Sequence, residues 1–233
     1  MILGTFRPSY LTDLKYFWQT AQCDVAVFTD HLPFSKGSPV NRSAKFPDNQ
    51  TVLRIPVLHN EKRNAIFQTE IDYHSNWVDK HIKTLHHFFH NLPYAYYYLP
   101  EMEELLKTEF NSLGDFLFAL HQKLIRWLHL PVHLMRASDT EFKDETENLI
   151  TLWCTQTHSE KYISQPETFE KQWVDKEKLR AKGISPIVFA PLPDSHLLKN
   201  YQSVVILQFL LQFGPEAGFI LQQYLPPRQK RND

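Results

Sequence analysis

Residues 2–30 read ILGTFRPSYLTDLKYFWQTAQCDVAVFTD, and this stretch decides the fold. Ile2–Phe6 is a short apolar run that is typical of a strand, and a second such run follows at residues 24–29. Between them, residues 10–21 carry apolar side chains at helical spacing. A strand, a helix and a strand within about thirty residues have the size of one crossover unit, whose strands are normally parallel. The opening therefore predicts an α/β fold.

The rest of the chain continues the alternation of strands and helices around a helical middle section. Further strands are predicted at residues 52–57, 65–71, 131–137, 161–164 and 185–190. Further helices are predicted at residues 76–90 and 100–110, after the predicted N-cap Ser112, and at residues 143–157, 169–181, 204–213 and 215–224. These elements predict a mostly parallel central sheet with flanking helices and a helical insertion at about residues 76–129. One domain is expected over residues 1–226, followed by a disordered tail at residues 227–233.

The composition argues against two classes of function. The formal net charge of the 233 residues is −1, whereas nucleic-acid-binding proteins usually carry a clear basic excess. The longest apolar runs are far below the ~20 residues that span a bilayer, and the N-terminus lacks the pattern of a signal peptide. Two cysteines, Cys23 and Cys154, do not indicate a disulfide framework. We therefore expect a cytoplasmic protein with no nucleic-acid partner and no transmembrane segment.

Neither a cofactor nor a bound metal is expected. The sequence has no glycine-rich phosphate-binding loop and no Cys-x-x-Cys pair. His86 and His90 lie four residues apart and share one face of a predicted helix, but a zinc site needs three or four ligands. Because no third ligand stands at a usual spacing, these histidines are interpreted as part of a solvated helix face.

Four polar residues follow predicted strands at their carboxyl ends: Arg7, Asp30, Ser138 and Asp139. Open α/β sheets bind ligands outside the carboxyl ends of their strands. Arg7 is expected beside Asp30, where it pairs with that carboxylate, binds an anionic group of a ligand, or lies on the surface. Strand ends also carry polar loop residues without a function, and the sequence leaves both interpretations open.

Taken in order, the polar and aromatic pieces of the chain resemble the WbqC-like family. The matching pieces cover nearly the whole chain: Arg7-Pro8-x-Tyr10-Leu11, Tyr16-Phe17, residues 24–30, Phe34-Ser35-Lys36, Asn41-Arg42, Ile55-Pro56-Val57, Trp77-x-x-Lys80-His81-Ile82-Lys83-Thr84, Pro93-Tyr94, Ser138, Tyr162-Ile163-Ser164 and Leu210-Leu211-x-Phe213-Gly214-Pro215-Glu216-Ala217. The resemblance implies a bacterial protein associated with O-antigen, lipopolysaccharide and other surface polysaccharides. It also implies transfer of glycine, or of another acyl group, to an amino sugar.

The chain departs from the family pattern at three places. Relatives usually open with His-Gln-Pro, where this chain has Phe6-Arg7-Pro8. They usually have Asp-Asp, where this chain has Asp30-His31, and a Ser and an Asp in the penultimate helix, where it has Val205 and Gln208. These changes remove a candidate base and two polar groups, so they indicate either lost catalysis or a different substrate.

Two hypotheses follow from the resemblance. The first is an amide-forming acyl or aminoacyl transferase that uses a nucleotide- or lipid-linked amino sugar and an activated acyl donor. His81 is its candidate base and Asp30 orients the amine or the histidine. The expected substrate-binding residues are Arg7, Asn41, Arg42, Trp77, Lys80 and Ser138, of which Arg42 and Lys80 bind phosphate or an oxyanion.

The second hypothesis is a catalytically inactive binding or accessory protein on the same fold. Asp30, Asn41, Arg42, Lys80 and His81 are expected to line one cleft. Convergence of the Asp30, Arg42 and His81 side chains would favour the enzyme. Divergence of these side chains, or apolar side chains that fill the strand ends, would favour the accessory protein.

Overall fold

The computed structural model of this chain describes residues 1–58, 64–140 and 146–226. The tail predicted at residues 227–233 lies outside the described residues, and the domain boundaries stay a prediction.

A five-stranded sheet forms the centre of the described structure. Its strands are β1 (Ile2–Phe6), β2 (Val25–Phe28), β3 (His133–Arg136), β4 (Lys161–Ser164) and β5 (Ser185–Val188). Their order is β3-β2-β1-β4-β5, and every neighbouring pair is parallel. The predicted α/β class with a parallel central sheet is confirmed, and the strand order reverses direction between β1 and β4.

The helices cover the sheet and form the predicted insertion. Their bounds are α1 (Leu14–Thr20), α2 (Trp77–Phe89), α3 (Ala95–Lys107), α4 (Leu113–Trp127), α5 (Thr146–Gln156), α6 (Pro166–Glu170), α7 (Lys176–Ala181), α8 (His196–Lys199), α9 (Ile206–Phe213) and α10 (Glu216–Gln223). Helices α2, α3 and α4 lie between β2 and β3 in the chain, where the helical insertion was expected. The predicted N-cap of α4 is confirmed, because the Ser112 hydroxyl accepts a hydrogen bond from the backbone N–H of Asp115.

Two predicted strands are wrong. Residues 52–57 and 65–71 take part only in isolated bridges, and Ile66–Gln68 is a short 3₁₀ helix. Buried and exposed side chains do alternate within residues 52–57, since Leu53 and Ile55 are buried while Arg54 between them is exposed. Their partner is a loop, however, and Pro56 has no backbone N–H to extend a ladder.

One predicted helix is divided in two. The stretch 169–181 contains the end of α6 and all of α7. Gln172 adopts a left-handed backbone conformation with φ of 54°, which ends the first helix. The Asp175 side chain accepts backbone hydrogen bonds from Glu177 and Lys178 and so caps the second.

The central strands β1, β2 and β4 are largely buried on both faces, as the strands of parallel sheets normally are. Leu3, Val25 and Tyr162 face a core that includes residues of α5, α6 and α7. Phe6, Ala26 and Ile163 belong to a separate cluster with the loop residue Phe189. The largest core joins α1, the segment after β2, the inserted helices and the C-terminal helices. This core places the segment after β2 against α2, and that contact builds most of the candidate site.

Candidate functional site

Asp30 lies in a closed polar network at the carboxyl edge of the sheet. Its side chain is fully buried. Arg136 Nε donates to Asp30 Oδ2 over 2.5 Å, the Ser138 hydroxyl donates to the same oxygen over 2.8 Å, and the Ser138 backbone N–H donates to Oδ1 over 3.0 Å. Asp30 and Ser138, which were both expected at the carboxyl ends of strands, therefore meet. Their bonds are to each other and to Arg136, which the sequence interpretation did not include.

The same arginine ties the start of α4 to the sheet. Arg136 Nη1 donates to Asp115 Oδ1 over 2.6 Å, and the Ser112 hydroxyl donates to the other Asp115 oxygen over 2.9 Å. Burial lowers the pKa of Arg136, but the hydrogen bonds to Asp30 and Asp115 outweigh it, so the net shift is upward. This cluster joins β2, β3 and α4, and we interpret it as a structural anchor.

Arg7 does not pair with Asp30. Its Nη2 atom donates over 2.6 Å to the backbone carbonyl of Pro33, in the loop after β2. The residue is exposed, and partial burial of its guanidinium lowers its pKa. Of the three outcomes expected for Arg7, the ion pair with Asp30 is excluded by the Arg136 network.

Residues 41–55 form an irregular antiparallel hairpin beside α2, called the 41–55 hairpin below. The Ile55 N–H donates to the Asn41 carbonyl and the Ser43 N–H donates to the Leu53 carbonyl, each over 2.9 Å. Arg42 and Arg54 face each other in the bridge between these two bonds, and both are exposed. Asn41 is 2% exposed, and its amide nitrogen donates to the Ile55 carbonyl over 2.9 Å.

His81 lies beneath this hairpin and is 2% exposed. Its Nδ1 atom is 2.8 Å from the Tyr10 hydroxyl, and the ring also hydrogen-bonds the backbone of Arg54. The imidazole stacks on the Tyr10 ring, with centroids 5.5 Å apart, and meets the edge of Trp77 at 5.0 Å. Burial lowers the pKa of His81 to about 4, so the ring is neutral near pH 7.

Two buried polar atoms near this cluster have no hydrogen-bond partner among the residues that the structure describes. They are Asn41 Oδ1 and Trp77 Nε1. Buried polar atoms without partners are uncommon, and functional sites are one place where they occur. Both residues were predicted to bind substrate.

An open groove of about 560 Å³ runs between the tip of the 41–55 hairpin and the solvent face of α2. It is lined by Asp48, Thr51, Asn76, Asp79, Lys80, Lys83, Thr84, His87 and Phe88. Lys80 points into this groove, while its neighbour His81 is on the buried face of α2. The groove thus holds cations, carboxylates and hydroxyl groups within one concave surface.

The structure divides the predicted residues into three places. Asn41, Arg42, Trp77 and His81 gather at the 41–55 hairpin, Lys80 lines the groove, and the remaining three lie at the sheet edge. Asp30, Asn41 and His81 are buried, whereas Arg42 is exposed and Lys80 lines the groove. The single cleft expected for these five residues stays a prediction.

Sequence reasoning missed four residues that organise these places. They are Tyr10, Arg54, Asp115 and Arg136. A signal existed for Arg136, which lies next to the last residue of the predicted strand 131–137 and two residues before Ser138. Asp115 also had a signal, since it stands three residues after the predicted N-cap. The pairing of Arg54 with Arg42 left no local signal.

The family departures at Phe6 and Val205 fall on buried apolar positions, whereas Arg7 is exposed and His31 is half-buried. Phe6 is buried at the end of β1 against the rings of Tyr16 and Phe189, at centroid distances of 5.5 and 5.8 Å. Val205 is buried, and Gln208 Oε1 is buried without a partner in the described structure. An apolar side chain therefore fills the end of the central strand.

The histidines of the solvated helix face have ordinary polar partners. His86 Nε2 lies 2.6 Å from Glu103 Oε1, and His90 Nδ1 lies 2.7 Å from the His86 carbonyl. Across residues 1–58, 64–140 and 146–226, no three His, Cys, Asp or Glu side chains are grouped so that they could hold a metal ion.

Comparison with known proteins gives one match. The model of the WbqC-like protein family matches residues 7–209. No curated protein and no solved structure matches the chain. In the part of the chain that the structure describes, no helix has the length and apolar character that crossing a membrane requires.

Proposed function

The chain belongs to the WbqC-like protein family, and from this premise we propose that it binds a nucleotide- or lipid-linked amino sugar for surface polysaccharide biosynthesis. The proposed role is that of a binding or accessory protein, and the proposed site is the groove between α2 and the 41–55 hairpin. The observation that carries the proposal is the lining of this groove, which combines Lys80 and Lys83 with Asp79 and hydroxyl side chains.

The groove offers a partner for each part of such a ligand. Lys80 and Lys83 can bind the phosphates as positive charges, and Asp79 can accept hydrogen bonds from the ammonium group of the amino sugar. Thr51, Thr84 and Asn76 supply donors and acceptors for sugar hydroxyls. Sites of this kind combine a concave surface with a few convergent polar groups.

The contacts of His81 and Asp30 count against acyl transfer in which His81 is the general base. A general base must reach the proton that it abstracts. His81 is buried and bonded to Tyr10 and to the backbone of Arg54, and Asp30 already accepts three hydrogen bonds. In both groups the polar atoms are bonded to other parts of the chain, which counts against a role as the general base.

The proposal can be tested by calorimetric titration with UDP-glucosamine and UDP-glucose. Lys80→Ala and Lys83→Ala should each weaken binding of both ligands about tenfold, since each removes a charge-assisted contact. Lys182→Ala is the matched control, because Lys182 is exposed at the C-terminal end of α7 and away from the groove. Asp79→Asn should weaken only the amine-bearing ligand.

Two results would overturn the proposal. One is the absence of UDP-glucosamine binding at about 1 mM ligand, the affinity of a weak complex. The other is unchanged affinity in both lysine variants.

Acyl or aminoacyl (glycine) transfer to the amino sugar is the second candidate function, and His31 is the observation that favours it. This half-buried histidine follows Asp30 directly at the carboxyl end of β2. Burial lowers its pKa while the charge of Asp30 opposes the shift, so the ring is in its base form near neutral pH. If transfer occurs, mass spectrometry should detect an amide product from UDP-glucosamine and a glycyl adenylate. His31→Gln should abolish that product and His81→Gln should not. If the wild-type protein forms no product, transfer is excluded and only the binding role is supported.

A further inference from the structure

We infer that Arg42 and Arg54, called the arginine pair below, form an anion site for a phosphate or diphosphate group. Neither arginine lines the groove of the proposed function. The inference therefore stands or falls separately from the binding of an amino sugar there.

The backbone register brings the two side chains together. The two hydrogen bonds of the 41–55 hairpin flank the arginine pair, from Ile55 N–H to the Asn41 carbonyl and from Ser43 N–H to the Leu53 carbonyl. In an antiparallel bridge this pattern defines the non-hydrogen-bonded position, where opposing Cα atoms are only about 4.5 Å apart and the side chains are closest. Both arginines are exposed, so two guanidinium groups project from adjacent points of one surface.

This arrangement costs stability unless an anion compensates it. Like charges directly opposite each other across a strand pair are destabilising. Neither guanidinium forms a hydrogen bond or an ion pair with any residue in the described ranges, whereas Arg136 and Arg180 both have carboxylate partners. Both guanidinium groups are thus available to bind an anion from outside the chain.

Buried side chains hold the backbone of the pair in place from below. Asn41 donates to the Ile55 carbonyl, and the Ser43 hydroxyl accepts from the Leu53 N–H over 3.0 Å. His81, itself bonded to Tyr10, hydrogen-bonds the backbone of Arg54. Three buried polar residues therefore fix the position of two exposed, mutually repelling side chains, which is the support that a preorganised site needs.

The chemistry of the pair fits phosphate better than a single carboxylate. A guanidinium presents a planar fork of N–H donors that binds phosphate oxygens in pairs. Two such forks can neutralise a dianion, which a carboxylate is not. The shared chemistry is that of a phosphate monoester or diphosphate, whether on a soluble nucleotide or on a lipid.

The test is titration of the full chain with inorganic pyrophosphate at two salt concentrations. Arg42→Gln and Arg54→Gln should each weaken pyrophosphate binding about tenfold, the loss of one hydrogen bond between charged groups. Arg126→Gln on the exposed side of α4 is the matched control and should bind as the wild type does. Affinity should fall as salt rises, since the site is exposed.

Thermal stability separates a binding role from a structural one. If the arginine pair serves to bind an anion, either glutamine variant should unfold at the same or a slightly higher temperature, because the repulsion between the two guanidinium groups is relieved. Lower stability with unchanged pyrophosphate affinity would overturn the inference. So would the absence of pyrophosphate binding by the wild-type chain.

Two further binding measurements identify the source of the phosphate and separate the arginine pair from the groove. Binding of UDP that is lost in Arg54→Gln would assign the site to a soluble nucleotide. Binding to vesicles that contain a polyprenyl diphosphate, with no binding of UDP, would assign it to a lipid. A loss of pyrophosphate affinity in Lys80→Ala as large as that in Arg54→Gln would mean that the pair is not a separate site.

Discussion

At the scale of single residues, Asp30 and His81 are polar groups whose burial is balanced by internal hydrogen bonds. Removing a carboxylate from water is costly unless it is paired, and Asp30 has Arg136 and Ser138 as partners. His81 avoids the cost by remaining neutral between Tyr10 and Arg54. Both residues belong to the types that catalysis uses, and in this structure their polar atoms are hydrogen-bonded to other groups of the protein.

Buried neutral histidines make the stability of the protein depend on pH. Burial lowers the pKa of both His81 and His121 to about 4, against 6.5 for an exposed histidine. Above pH 6.5 the rings are neutral in both states and their full contribution is present. As pH falls from 6.5 towards 4, the unfolded chain takes up protons that the folded chain does not, so stability falls. Each histidine accounts for roughly 3 kcal/mol across this window.

Urea unfolding at pH 7 and pH 5 measures this effect. The free energy of unfolding should be lower at pH 5, and His81→Gln should remove about half of the slope that the two histidines produce. A glutamine can still accept from Tyr10 and donate to Arg54, so the variant should fold. Equal stability at the two pH values would contradict the low pKa of both rings.

At the scale of elements, α4 approaches the segment at Ile66–Gln68 closely. The start of α4 carries Gly114, and a Cβ atom there would lie 2.6 Å from Phe67 Cα and 3.2 Å from Arg136 Nη2. A backbone atom cannot move aside as a side chain can. This glycine therefore permits α4 to reach the Asp30 network.

Gly114→Ala gives a test in which two effects have opposite signs. Helix propensity alone would stabilise the protein by about 1 kcal/mol, because alanine is the better helix former. The contact with Phe67 should prevail and destabilise it by about 1–3 kcal/mol, the usual cost of overpacking. Urea unfolding decides between the two, and a stabilised variant would show that α4 can shift away from the 66–68 segment without loss.

Local sequence patterns predicted the helices and strands in which the spacing of apolar residues matches the spacing of buried residues. The strands β1, β2, β4 and the insertion of α2 to α4 were recognised because their apolar spacing matches their burial. The failed strand at residues 52–57 has the same kind of alternation, but its buried residues Leu53 and Ile55 contact the core from a loop. Which partner an alternating segment meets depends on contacts distant in sequence, and the pairing of Arg42 with Arg54 was missed for the same reason.

At the scale of the whole molecule, the strand order places the usual ligand crevice between β1 and β4. Open parallel sheets bind ligands where the strand order reverses, outside the carboxyl ends. In this chain the end of β1 is filled by Phe6 with Tyr16 and Phe189. The charged and hydroxyl groups lie instead on the 41–55 hairpin and α2, so the ligand sites that we propose are displaced from the crevice to the segment after β2.

The two arginines at the carboxyl edge of the sheet, Arg7 and Arg136, should contribute differently to stability. Both follow or end a strand, but Arg7 has one backbone acceptor, Pro33, and Arg136 bridges two carboxylates. Arg7→Ala should cost about 1 kcal/mol, the net value of one hydrogen bond. Arg136→Ala should cost about 3–5 kcal/mol, because it leaves the buried charge of Asp30 without its partner. Urea unfolding of the two variants measures both losses in the free energy of unfolding.

Ligand titration of Arg7→Ala then decides where the anionic ligand binds. If the sites lie on the 41–55 hairpin and in the groove, this variant should bind pyrophosphate and UDP-glucosamine as the wild type does, because Arg7 contributes to neither site. If ligand affinity falls while stability stays within about 1 kcal/mol of the wild type, Arg7 contacts the ligand. In that case the crevice between β1 and β4 would still be in use despite Phe6, and the displaced position of the site would be wrong.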